Sequence, residues 1–208
     1  MPVTPSTRTP PLPPTAVIPV TEAAVIAAFA RRERAGLALA GDVERIASAA
    51  RAMATGFRLG GKLIVFGGTG TDAAHIAVEF MHPVVVGKRA LPAVALSNGA
   101  PAAGGADDEV FAHQVRHWAD AADTALGVSR DGRCPSVLRG LEAAGELGLL
   151  TVALTGGGGG LPADHVLGVA SGDPAVVKEV HVTAYHLLWE LVHVFLERLG
   201  PSGRGVER

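Results

Sequence analysis

Residues Lys62 to Phe80, KLIVFGGTGTDAAHIAVEF, constrain this chain more than any other stretch. Leu63 to Phe66 form a short apolar run suited to a buried strand. Gly67-Gly68-Thr69-Gly70-Thr71 follow as a turn, and a helix is expected from about Asp72 to Met81. A strand, a Gly/Thr turn and a helix in that order build an anion site. The turn offers backbone N–H groups, and the helix N-terminus adds partial positive charge. Gly68, Thr69, Gly70 and Thr71 are therefore candidate binding residues. His75 and Glu79 are four residues apart and share one helix face.

Two nucleotide-site patterns fail on context. Gly68 to Ala73 fits the loose GxGxxA dinucleotide fingerprint, which also wants an acid after the next strand. That strand, about Ala93 to Leu96, ends in Ser97-Asn98-Gly99. Gly56 to Lys62 fits GxxxxGK, but it precedes the strand and lacks the following Ser/Thr.

Alternation continues along the chain. Further strands are expected at Thr124–Val128, Leu150–Leu154 and His165–Ala170, each apolar enough to be buried on both faces. Helices are expected over Asp108–Trp118, Ser136–Leu147 and Pro174–Leu199. The fold class is α/β, a doubly wound five-stranded parallel sheet flanked by helices. Two more helices, Thr21–Arg34 and about Asp42–Phe57, precede every strand, so they pack on the sheet's flank or on another subunit. Residues 1–20 hold most of the prolines and read as a disordered arm. Residues 21–200 read as one domain and 201–208 as a disordered tail.

Charge and composition exclude several roles. The net charge is −2, which argues against a nucleic-acid or membrane surface. No apolar run is long enough to span a bilayer. Cys134 is the only cysteine, in keeping with a reducing, cytoplasmic setting.

Ligands of such sheets bind beyond the strand C-termini. After the third strand comes Ser129-Arg130-Asp131-Gly132-Arg133-Cys134. Ser129 can donate a hydroxyl, and Arg130 and Arg133 can grip a phosphate. Asp131 opposes an anion unless it finds a partner. Gly156 to Gly160 read as slack. On the last helix, Lys178, Val182, His186 and Glu190 recur every four residues, with His181 on a different face.

AxHxAxEF (Ala73 to Phe80), LPAVALSN, ALGVSRDGRCPSVLRGLEAAGELGLLTVALTG and KEVHVTAYHLLWELV, in that order, resemble the sugar isomerase (SIS) domain family in its phosphoheptose isomerase branch. The resemblance covers about Gly60 to Leu196. It implies a homotetramer with sites at subunit interfaces, and isomerisation of sedoheptulose 7-phosphate. In that chemistry a carboxylate, here Glu79, moves a proton between C1 and C2, and a histidine, here His186, serves the sugar oxygen. His75 matches a further ligand of zinc-holding members, so His75, Glu79 and His186 form the candidate metal set. The chain departs from the family at several places. The loop after the third strand replaces a Ser/Thr-rich STSGNS type. Lys178 replaces a glutamine eight residues before the histidine. Asn98 stands where members usually carry an acid. Lys178 beside Glu79 would pair with it and repel a divalent cation, so no resident cofactor is expected. The altered loop and Lys178 leave a second class open, a non-catalytic relative that binds a sugar phosphate or scaffolds a partner.

Overall fold

The computed structural model describes residues 21–68, 70–83, 86–98 and 107–199. The expected arm over 1–20, the tail over 201–208, and Thr69 lie outside the described residues. Gly70 and Thr71 are described in their backbone only.

The chain runs α1 (Glu22–Ala40), α2 (Val43–Arg58), β1 (Leu63–Gly67), α3 (Gly70–Met81), β2 (Ala93–Ala95), a 3₁₀ turn (Asp107–Glu109), α4 (Val110–Trp118), β3 (Thr124–Ser129), α5 (Pro135–Glu146), β4 (Leu150–Gly156), β5 (His165–Val169) and α6 (Pro174–Leu199). The sheet order is β2-β1-β3-β4-β5 and every pairing is parallel. The chain leaves β1 towards one edge and returns to build the other. The topological switch therefore lies between β1 and β3, where such sheets open a crevice for ligands.

Strand periodicity sorts the core into two layers. Leu63 and Val65 of β1 face α1, α2, α3 and α6; Ile64 and Phe66 face α4 and α5. Phe66 meets Phe111 of α4 with ring centroids 5.2 Å apart. The expectation of strands buried on both faces holds for β1 and β3. It fails at β2, which is only partly buried because it pairs with β1 alone at the sheet edge.

α1 starts where Thr21 caps it, its Oγ1 accepting from Ala24 N at 3.1 Å. It runs to Ala40, six residues beyond the expected Arg34, because Ala35 and Leu39 are buried and hold the last turns down. Both N-terminal helices pack on α6, so they flank the sheet.

Two positions of the glycine run at the end of β4, Gly156 and Gly159, are not slack. A Cβ on Gly156 would lie 2.3 Å from the Arg130 carbonyl oxygen, and one on Gly159 would lie 2.5 Å from that of Asp131. Thr155 Oγ1 also donates to Gly159 O at 3.3 Å. Glycine is needed here because the backbone of this turn supports the loop after β3 from behind.

Candidate active site

α3 and α6 bring the predicted residues together. His75 and Glu79 are one turn apart on α3, and His75 Nε2 lies 3.2 Å from Glu79 Oε1. His186, more than a hundred residues later on α6, places Nε2 3.7 Å from the same oxygen. The two imidazole rings are edge to face with centroids 6.5 Å apart. Glu79 is the most shielded of the three, while both histidines remain open to solvent. One carboxylate thus sits between two imidazoles at an accessible surface.

The second cluster lies at the β1/β3 crevice. A cavity of about 380 Å³ is lined by Gly68, Asp72, Ser129, Arg130, Arg133, Cys134, Lys178 and His181 among others. Asp131 turns back into its own loop. Its Oδ1 accepts from Arg133 N at 3.0 Å and from Ser129 Oγ at 3.4 Å. That satisfies the carboxylate locally, and among the described residues neither guanidinium is spent on it. Ser129 Oγ accepts in turn from Cys134 N at 3.3 Å. The loop is tied by its own hydrogen bonds, with two arginines available to a ligand.

Of the predicted binding residues, Gly68, Ser129, Arg130, Arg133 and Lys178 line this cavity. Asn98 does not; it is exposed beyond β2 at the sheet edge. Lys178 does not pair with Glu79 as expected from sequence. It forms an ion pair with Asp72 Oδ1 at the start of α3.

Two residues of α6 join the site without having been singled out as site residues from sequence. His181 is 5% exposed, and its Nε2 has no hydrogen-bond partner among the described residues. An orphaned buried nitrogen in a cavity wall is uncommon and suits a ligand group. Burial, more than any neighbour, pushes the His181 imidazole below its usual range; Lys178 acts in the same direction. Tyr185 is buried, with its hydroxyl 3.1 Å from His75 Nδ1. Lys178, His181 and Tyr185 follow i, i+3, i+7. That helical spacing adds His181 and Tyr185 beside Lys178 and His186 of the four-residue stripe on the face turned to the site.

The candidate zinc set is His75, Glu79 and His186. Both imidazole nitrogens address the same Glu79 oxygen, and the neighbouring family position holds a cation, Lys178. Among the described residues no group of three or more His, Cys, Asp or Glu side chains is placed to hold a metal ion.

Comparison with known proteins bears on the whole arrangement. Residues 33–156 match the model of the SIS domain. The chain is 38% identical over 166 residues to a phosphoheptose isomerase of Nitratidesulfovibrio vulgaris, covering 75% of this chain and 80% of that protein. It is 40% identical over 171 residues to one of Solidesulfovibrio magneticus, covering 76% and 84%. Among solved structures it resembles the phosphoheptose isomerase of Neisseria gonorrhoeae, with a TM-score of 0.72, 30% identity, and coverage of 82% of this chain and 97% of that one. The Francisella tularensis phosphoheptose isomerase gives 0.75 at 27% identity, with coverage of 83% and 97%. The chain belongs to the SIS domain family, in its phosphoheptose isomerase branch.

Proposed function

We propose that this protein is an aldose–ketose isomerase that converts sedoheptulose 7-phosphate to the corresponding aldoheptose 7-phosphate. The observation that carries the proposal is the meeting of Glu79 with His75 and His186 across two helices. A structural histidine would have no reason to converge with another on one solvent-facing carboxylate.

Glu79 removes a proton from C1 of the ketose while the C2 carbonyl gains electron density. His186 supplies the proton to O2, so an enediol forms. Glu79 returns its proton to C2, and O1 passes its hydroxyl proton back to His186 as the C1 aldehyde forms, which restores both groups. Each step needs a base and an acid in reach of adjacent atoms, and the carboxylate–imidazole pair provides both. His75 and His186 address Oε1, which leaves Oε2 to take the substrate proton.

The phosphate is assigned to the crevice cavity. Arg130 and Arg133 bring positive charge, and β3 delivers Ser129. Lys178 and His186 are eight residues apart on α6, about 12 Å along the axis. A seven-carbon sugar phosphate bridges a distance of that order, so phosphate at one cluster puts C1 and C2 near the other.

The exposed apolar side chains of α1, with Ile26 at 61%, Phe29 at 70% and Leu37 at 66%, suit a homo-oligomer, which we assign as a tetramer in the cytoplasm. Among the described residues no helix is long and apolar enough to cross a membrane.

The test is incubation with sedoheptulose 7-phosphate and detection of the aldose by NMR. The rewritten loop after β3 favours one alternative, a binder that has lost turnover. No conversion, together with a thermal shift on adding phosphosugars, would establish that alternative instead.

A further inference from the structure

His181 stands apart from the other polar groups of the crevice cavity. Ser129 and Asp131 are tied within the loop after β3, and Lys178 pairs with Asp72. Arg130 and Arg133 bring the charge assigned to the phosphate. His181 lines the same cavity and is 5% exposed, and among the described residues its Nε2 has no hydrogen-bond partner. A buried polar nitrogen costs free energy until something meets it.

Its place on α6 bears on what that is. Pro174, Lys178 and His181 all line the cavity, so the cavity follows α6 for seven residues, about 10 Å. That is longer than a phosphate group. Along the helix axis His181 lies about 4.5 Å beyond Lys178 and about 7.5 Å short of His186. With phosphate at the arginines and C1 and C2 at Glu79, His181 falls beside the middle of the carbon chain. Charge sorts the ligand the same way. Burial pushes the imidazole below its usual range, so the ring is neutral near pH 7. A phosphate dianion only accepts, and the guanidinium groups are its stronger partners. A hydroxyl both donates and accepts, so it satisfies Nε2 in either tautomer.

We propose that His181 is a specificity-determining residue whose Nε2 hydrogen-bonds a hydroxyl midway along the substrate chain, so that the cavity selects polyhydroxylated phosphate esters. A phosphate ester without that hydroxyl leaves the buried nitrogen unpaired and is rejected for that reason. Which hydroxyl is met rests on the isomerase reading; that one is met does not.

The experiment is calorimetric titration of the full-length protein, wild type and His181→Leu, with three probes. These are inorganic phosphate, sedoheptulose 7-phosphate, and heptyl phosphate, a chain of the same length without hydroxyls. The preference for the sugar phosphate over heptyl phosphate should shrink by at least about tenfold in His181→Leu. Inorganic phosphate should bind both proteins equally. An unchanged preference, or an equal loss for inorganic phosphate, would overturn the proposal. If His181→Leu does not fold, NMR of ¹⁵N-histidine-labelled wild type decides, with His181→Gln used to assign the His181 signals. The Nε2 signal of His181 should move on adding sedoheptulose 7-phosphate and stay in place with inorganic phosphate. The same response to both, or none to the sugar phosphate, would overturn the proposal. Turnover judges the isomerase reading separately: a sugar phosphate bound in this way but not converted defeats that reading and leaves His181 in its role.

Discussion

Lys178 closes an ion pair with Asp72 across the gap between α6 and α3, so its charge is directed away from Glu79. This pair occupies the place where the family's zinc-binding members present a neutral amide. Among the described residues it leaves Glu79 in contact with two imidazoles, and it puts a cation in the wall of the crevice cavity.

That arrangement predicts a metal-independent protein. Protein purified without chelators should carry far less than one zinc per chain, and chelator should leave the isomerisation rate unchanged. Stoichiometric zinc by elemental analysis would show instead that Lys178 moves aside and that His75, Glu79 and His186 coordinate.

Arg130 and Arg133 are predicted to act in binding more than in chemistry. Their positive charge meets the phosphate equally in the ground and transition states. Replacing both by alanine should therefore raise KM by at least about tenfold while kcat changes little, as loss of charge-assisted hydrogen bonds implies. Steady-state kinetics checks this. An unchanged KM would place the phosphate elsewhere.

His181 gives the fold a pH dependence of defined sign. Burial keeps its imidazole neutral in the folded state, while the unfolded chain titrates near 6.5. The unfolded state therefore binds the extra proton first. Stability present above pH 6.5 is lost as the pH falls towards the lower folded value. Melting temperatures of wild type should drop over this interval, and those of His181→Gln should drop less. Parallel slopes for the two proteins would assign the acid sensitivity to other groups.

Local patterns carried much of this site in the sequence. The run from Leu63 to Phe80 displays its strand, turn and helix through apolar clustering and glycine, and His75 and Glu79 declare a common face by spacing alone. What sequence could not supply is the crossing of α3 and α6, because their contact depends on packing between residues a hundred positions apart. Hence His186 was legible as a candidate, while its contact with Glu79 was not. Lys178 went to Asp72 because that carboxylate starts α3, level with the first turns of α6, whereas Glu79 lies two turns further on. Gly156 and Gly159 read as slack in the sequence because the loop they support is distant along the chain. Composition alone does not reveal a carbonyl 2.3 Å from an absent Cβ.

The central claim is that Glu79 carries the proton between C1 and C2, and the most direct measurement is NMR of sedoheptulose 7-phosphate incubated in D₂O with wild type and Glu79→Gln. The account predicts that wild type forms the aldose. It also predicts that solvent deuterium enters at the carbon that receives the proton, to the extent that Glu79 exchanges before returning it. The folded Glu79→Gln variant should produce neither aldose nor deuterated sugar. Conversion by Glu79→Gln at the wild-type rate would contradict the account and remove Glu79 from the chemistry.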